Sequence, residues 1–388
     1  MKLSKTKLII LIVAFGLCIK TEAQTSVLVA ADSLYQLGNY SEAIKKYQQS
    51  IPQNQYTILQ IARSNKAKGM YNESLTLYEK AITAYPSSPN IKFEYAKLLS
   101  TTAKLDRADS MYTVLANEQP KNPNFQYRLG LVKKKLQDST AISYFKKAFE
   151  MDSTHQKSCL EIATYYLRKR NYDQVVRIAN TGLRSYPENV ELLGVLGQNF
   201  LLREDYYEAQ EYFEKLISLH QENEYIHSTL GLCYTHTHQF EQAILHLKKA
   251  LQYNDRVPIR HSRLGYAYQK LEKFEDALKH YNESIALKDI PMEEELLAIA
   301  LVYRLQERWE EAIKYAKLAL KENSNFSRAQ YQLAMFADAY YKDPKVKLKY
   351  YNDYLKKFGQ DKKRAYFIAT IQKRVKQLEK EITPELKN

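Results

Sequence analysis

Apolar residues recur along this chain at intervals of three and four. Leu160, Ile162, Ala163, Tyr166 and Leu167 form one such set, the stripe of an amphipathic helix. A short polar turn follows at Arg170-Asn171, as it does later at Glu204-Asp205, and a second stripe then begins. Asn171 and Asp205 are suited to cap that second helix, and Glu208 stands three residues on from Asp205, where a capping box needs it. Pro86, Pro120 and Pro187 close three of the second stripes, because proline cannot continue a helix.

The helix pairs repeat. Leu196-Gly197, Leu230-Gly231 and Leu264-Gly265 lie 34 residues apart, and Leu129-Gly130 precedes Gly197 by 67. Small residues follow in a second column at Ala43, Ala108, Ala209, Ala243, Ala277 and Ala312. Tyr47, Tyr78, Tyr112, Phe145, Phe213, Leu247 and Tyr281 come three or four residues later, and Ala81, Ala148, Ala250 and Ala319 make a last small column. Glycine within a helix is unfavourable by propensity, so its place in a column implies close approach of the partner helix backbone. A fixed internal period of this length means a stack of similar pairs rather than separate globular cores.

With this spacing of Leu-Gly, Tyr, Ala, Tyr or Phe, Ala and Pro, the chain resembles the tetratricopeptide repeat. The closest repeats are Glu224–Val257 and Pro258–Ile290; others start near Gln24, Gln55, Pro89, Pro123, Gln156, Val190, Glu293 and Ser327, about ten in all. The resemblance implies an all-α, right-handed superhelical solenoid of antiparallel helix pairs. It also implies a concave groove, lined by the first helices, that binds extended or helical peptides. Carried onto this sequence, that face comprises Arg63, Phe93, Lys97, Tyr127, Leu131, Lys134, Leu160, Gln198, Tyr225, Ser262, Tyr266, Leu297, Leu301, Tyr331 and Met335. Some family members clamp a C-terminal carboxylate with Lys and Asn over three repeats, a pattern that no three consecutive repeats reproduce here.

Both ends depart from the period. Lys2, Lys5 and Lys7 precede an apolar run from Leu8 to Cys18, with Ala23 before Gln24. This is the pattern of a cleaved secretory signal over residues 1–23, and the run is too short to span a bilayer as a helix. The array is expected over residues 24–358. Within its last repeat Pro344 is read into the turn, and Tyr350-Tyr351 share the aromatic column. After Gly359, Ile368, Ile371, Val375, Leu378 and Ile382 form a stripe opposite Lys and Arg. An apolar inner stripe with a charged outer face suits a capping helix, so residues 359–388 are read as a basic C-terminal cap and tail.

Charge then narrows the partners. The 388-residue chain carries a formal +14, of which residues 342–388 account for +8 and residues 24–341 for only +3. The basic character belongs to the tail and not to the groove. For an exported chain this argues against nucleic acid and leaves a weak contact with an anionic surface. Cys159 and Cys233, 74 residues apart on apolar helix faces, read as buried free thiols. Seven of eight histidines fall between His220 and His280, but His227 and His261 share one column and His246 and His280 another. Local duplication explains these four, so no metal site is assigned, and most of the 33 tyrosines belong to the core columns. No phosphate-cradling loop or catalytic constellation is evident, and no cofactor is expected. The sequence therefore reads as a non-enzymatic scaffold, periplasmic or otherwise envelope-associated, that binds a partner protein or peptide in its groove. The alternative is an accessory module that holds an anionic glycan or membrane surface through its basic C-terminal region.

Overall fold

The computed structural model describes residues 27–51, 53–287 and 292–383. The expected signal at residues 1–23 and Pro384, read from the sequence as the end of the capping helix, lie outside them. Among the described residues all regular elements are helices, and none is long and apolar enough to cross a membrane. Residues 27–36 pair with Tyr40–Gln49. Eight further pairs begin at Gln55, Pro89, Pro123, Gln156, Val190, Glu224, Pro258 and Glu293, the positions at which the period starts each repeat. A tenth, Ser327–Tyr340 with Pro344–Phe358, is followed by a last helix, Ala365–Ile382. The described residues form two compact units, divided between Leu192 and Leu193. Within each, packing runs between helices adjacent in the sequence, as a solenoid requires.

The Leu-Gly glycines sit under side chains rather than under backbone. A Cβ on Gly130 would lie 2.7 Å from Phe145, one on Gly197 3.0 Å from Phe213, one on Gly231 2.5 Å from Leu247, and one on Gly265 2.8 Å from Tyr281. Each of those residues belongs to the aromatic or long apolar column of the same pair, so glycine makes room for a ring or a leucine. Gly182, outside the Leu-Gly column, falls in the last small column: a Cβ there would meet Leu192 at 2.6 Å and the Cys159 Cβ at 3.2 Å.

The turn inside each of the first nine pairs carries one left-handed residue: Gly38, Gly69, Ala103, Gln137, Arg170, Glu204, His238, Glu272 and Glu307, with φ between 54° and 80°. The next residue returns its N–H to a carbonyl five back, as in Asn171 to Tyr166 (3.0 Å) and Asp205 to Phe200 (3.0 Å). This satisfies a carbonyl orphaned at the end of the first helix. It also explains why Glu208 forms no capping box, since the Asp205 N–H that it would bind is already used. The Asp205 carboxylate turns instead to Arg203, 2.8 Å away, and caps nothing, whereas Asn171 does accept from the Gln174 N–H.

In the last pair, Pro344 is not in the turn but is the first residue of Pro344–Phe358, where its missing N–H has no intrahelical partner to lose. Tyr351 is buried, so it holds the aromatic column, while Tyr350 is half-exposed. Ile368, Ile371, Val375 and Leu378 of the last helix pack on Tyr351, Tyr354 and Phe358. Asp338 fastens that helix polar side to polar side. It accepts from Arg374 Nε (2.7 Å) and Tyr351 Oη (2.9 Å), with Lys347 Nζ at 3.1 Å. Despite burial, these hydrogen bonds and charges hold its pKa at about 2.

Candidate partner-binding surface

Two positions of the first helices supply most of the surface expected to bind. The ninth residue of the helix is accessible in all seven repeats where it was singled out. Lys97, Tyr266 and Met335 are exposed, and Arg63, Leu131, Gln198 and Leu301 are half-exposed. The fifth residue, one turn earlier, lies closer to the neighbouring pair. There Phe93, Leu160, Ser262 and Tyr331 are half-exposed, but Tyr127 and Leu297 are buried. Tyr127 packs on Phe145 and His155 at centroid distances of 5.8 and 5.3 Å, and Leu297 joins a cluster with Ala319 and Ala329. Both are packing residues and leave the surface. Lys134 and Tyr225 are exposed, and the Tyr225 ring meets Phe213 edge-on at 5.9 Å.

Several of these side chains already have partners. Arg63 donates through Nε to both Glu94 oxygens (3.1 and 3.0 Å), and Glu94 also accepts from Tyr78 (2.8 Å). Lys134 pairs with Glu161 at 2.6 Å. Tyr331 packs between Tyr354 (6.1 Å) and Phe367 (4.8 Å), and Met335 Sδ accepts from Tyr351 Oη at 3.6 Å. Lys97 and Tyr266 are the freer members: Lys97 has no charged partner among the described residues, and Tyr266 carries only Lys270 over its ring (5.4 Å) and Phe240 at its edge (6.1 Å).

These residues border two cavities, one in each compact unit. The first, about 480 Å³, is lined by Lys97, Tyr112, Arg128, Leu131, Lys134 and Lys135 among others. The second, about 510 Å³, is lined by Ser262, Arg263, Tyr266, Leu301, Arg304 and Arg328 among others. Arg128 and Arg263 were missed by sequence reasoning. Each is the sixth residue of its first helix and directly precedes a Leu-Gly pair, so the recurrence of Arg-Leu-Gly was the available signal.

Several tyrosine hydroxyls of the core reach carboxylates, whereas Tyr281 of the aromatic column donates to the Gln269 amide oxygen (2.9 Å). Tyr47 donates to Asp32 (2.5 Å), Tyr95 to Glu79 (2.8 Å), Tyr234 to Glu214 and Tyr351 to Asp338. Burial and the adjoining carboxylate push the Tyr95 hydroxyl up to about 12. The histidine columns also meet. His227 Nδ1 lies 3.0 Å from His246 Nδ1, and His261 Nδ1 lies 3.1 Å from His280 Nδ1. The Glu222 carboxylate at 3.2 Å and the Asp255 carbonyl at 2.9 Å place protons on Nε2 of His227 and His261. In the neutral form of these two rings the Nδ1 atoms accept, and His246 and His280 donate. No group of three or more metal-ligating side chains is found among the described residues. His236 lies elsewhere, stacked on Tyr206 at 4.0 Å.

Cys159 and Cys233 are free and buried. Burial raises their thiols to about 11 and about 12, which keeps them protonated and unreactive.

Comparison with curated proteins gives no significant match. Two family profiles match, both described as tetratricopeptide repeat, over residues 56–88 and 262–334. Among solved structures, the TPR protein YrrB, described as having an unusual peptide-binding site, is 18% identical with a TM-score of 0.44, covering 48% of this chain and 95% of its own. A tetratricopeptide repeat protein from Parabacteroides merdae gives 18% and 0.44, covering 63% and 99%, and yeast Tom70 gives 13% and 0.41, covering 95% and 98%. Ten helix pairs in phase with the Leu-Gly period, two stretches of which match the repeat's own profiles, make this chain a tetratricopeptide-repeat protein.

Proposed function

We propose that the protein is a non-enzymatic scaffold of the cell envelope that binds a segment of another protein against the ninth-position face of its first helices. The observation that carries this reading is the accessibility of that position. Seven repeats in succession or near-succession present Arg, Lys, Leu, Gln, Tyr, Leu and Met there, a mixture of apolar, aromatic and cationic groups that suits an interface. Rigid helix pairs hold these groups in place before a partner arrives, so little ordering cost falls on the scaffold. The envelope address rests on the basic and apolar leader pattern of residues 1–23.

A second reading has its own support. Lys362, Lys363, Lys373, Lys376 and Lys380 are all exposed around the last helix, whereas Arg374 is held by Asp338 and Glu381. Those lysines could hold an anionic glycan or membrane surface. Capture of envelope proteins by the chain separates the two readings. Tyr225→Ala with Tyr266→Ala is expected to weaken capture at least about tenfold if these are interface anchors, while alanine at the five lysines leaves it unchanged. The opposite result, with strong loss on added salt, moves the function to the C-terminal region.

A further inference from the structure

Among the described residues, Arg263 is a recessed cation with no counter-charge. It is half-buried on Pro258–Lys270 and has no hydrogen bond or ion pair with any described residue. Its guanidinium is held below the usual arginine range by burial first and by neighbouring Arg260 second, with no carboxylate among the influences on it. Arg260 takes Glu224 as its own partner. Glu294 on the cavity wall is held by Arg328 at 3.0 Å. Lys270 and Arg304 line the same 510 Å³ cavity, so four cations there face one carboxylate. Desolvating a charge is unfavourable unless a partner compensates it, and the described residues supply no carboxylate that does so.

Arg128 repeats the arrangement in the other compact unit. It occupies the same helix position, lies 5.9 Å from the ring centroids of both Phe93 and Tyr127, and opens on a cavity with three lysines and no acidic lining residue.

We propose that Arg263 anchors an aspartate or glutamate side chain of an extended partner segment, whose apolar neighbour rests on Tyr266 and Leu301. This deepens the scaffold reading and depends on it. The planar guanidinium suits a carboxylate bidentately. The apolar wall formed by Tyr266, Ala298, Leu301 and Leu305 suits a peptide better than a glycan of repeated charge. An excess of three cations is more than a single chain terminus would neutralise, so the site fits acidic side chains along a segment.

The test is selection of random short peptides, C-terminally blocked, on the full chain, followed by fluorescence anisotropy of the recovered sequences. Asp or Glu beside an apolar residue is expected to be enriched. Changing that acid to its amide, or Arg263→Gln, should each weaken binding about tenfold, as for a charged hydrogen bond. The two changes together should do little more than either alone, and Arg263→Lys should restore part of the loss. Unchanged thermal melting of the variants keeps folding out of the comparison. Peptides that bind without acidic preference, or equally well to Arg263→Gln, overturn the assignment and leave the scaffold reading standing. So does recovery only of peptides with a free C-terminus, or Arg263-dependent binding of heparin or phosphatidylglycerol vesicles in place of peptide. Failure to recover any binding peptide removes both readings.

Discussion

Gly231 illustrates what a single position decides in this fold. Its missing Cβ leaves room for Leu247, whose Cγ would otherwise be 2.5 Å away. Gly231→Leu should overpack the seventh helix pair by about 1–3 kcal/mol, read as a lower midpoint in urea with an unchanged slope. An unshifted midpoint would place the glycine outside the packing column. That column was legible in the sequence because only small residues fit it. The left-handed turn residue was not legible, although its period is as regular. Ala103, Gln137, Arg170 and Glu307 share one backbone conformation with no side-chain chemistry in common, because the return hydrogen bond uses the backbone alone. Arg263 escaped notice for another reason: its significance lies in the absence of a neighbouring carboxylate, which is a property of space and not of spacing.

At the scale of elements, the histidine columns tie the first helix to the second in the seventh and eighth pairs. Sequence duplication explained why His227 and His261 align, and His246 with His280, but not that the two columns touch. A separation of 19 residues brings two rings together only once the turn geometry is fixed. Burial, then the partner histidine, lowers His246 and His280 to about 4 from 6.5. Lys249 reinforces the shift at His246 against Glu214 and Glu222, and Lys279 and Lys248 do so at His280 against Asp276. Between those two pH values the unfolded chain binds the more protons. The histidine contribution to stability is therefore intact above about pH 6.5 and is lost as pH falls toward 4. His246→Asn with His280→Asn keeps a donor near each Nδ1 position without the titration. The melting temperature of the variant should vary less than that of the parent across this window, and parallel curves would assign the acid sensitivity to other groups. Asp338, held at about 2, adds its own loss only below the ordinary carboxylate range.

With Cys18 replaced by Ser, the whole molecule has two internal reporters, because Cys159 and Cys233 lie in different compact units. Neither thiol should react with Ellman's reagent in the native chain. In repeat arrays, stretches can open separately, so in moderate denaturant the two should label with different apparent opening free energies. Cys159→Ala and Cys233→Ala identify which thiol is which, and identical labelling would make the array a single cooperative block. The architecture at this scale was the most legible part of the chain, since the period alone located the start of nine helix pairs. The accessible face was only half legible: the ninth position is accessible throughout, but the fifth is buried at Tyr127 and Leu297, where the neighbouring pair closes over it. Packing between helices adjacent in the sequence has a consequence for the chain as it is made. Few contacts wait for distant residues, so contact order is low and folding is expected to be fast. Each completed pair can dock on the one before it as the polypeptide emerges. The growing edge is then an apolar face that each next pair covers, until Ala365–Ile382 arrives to cover the last.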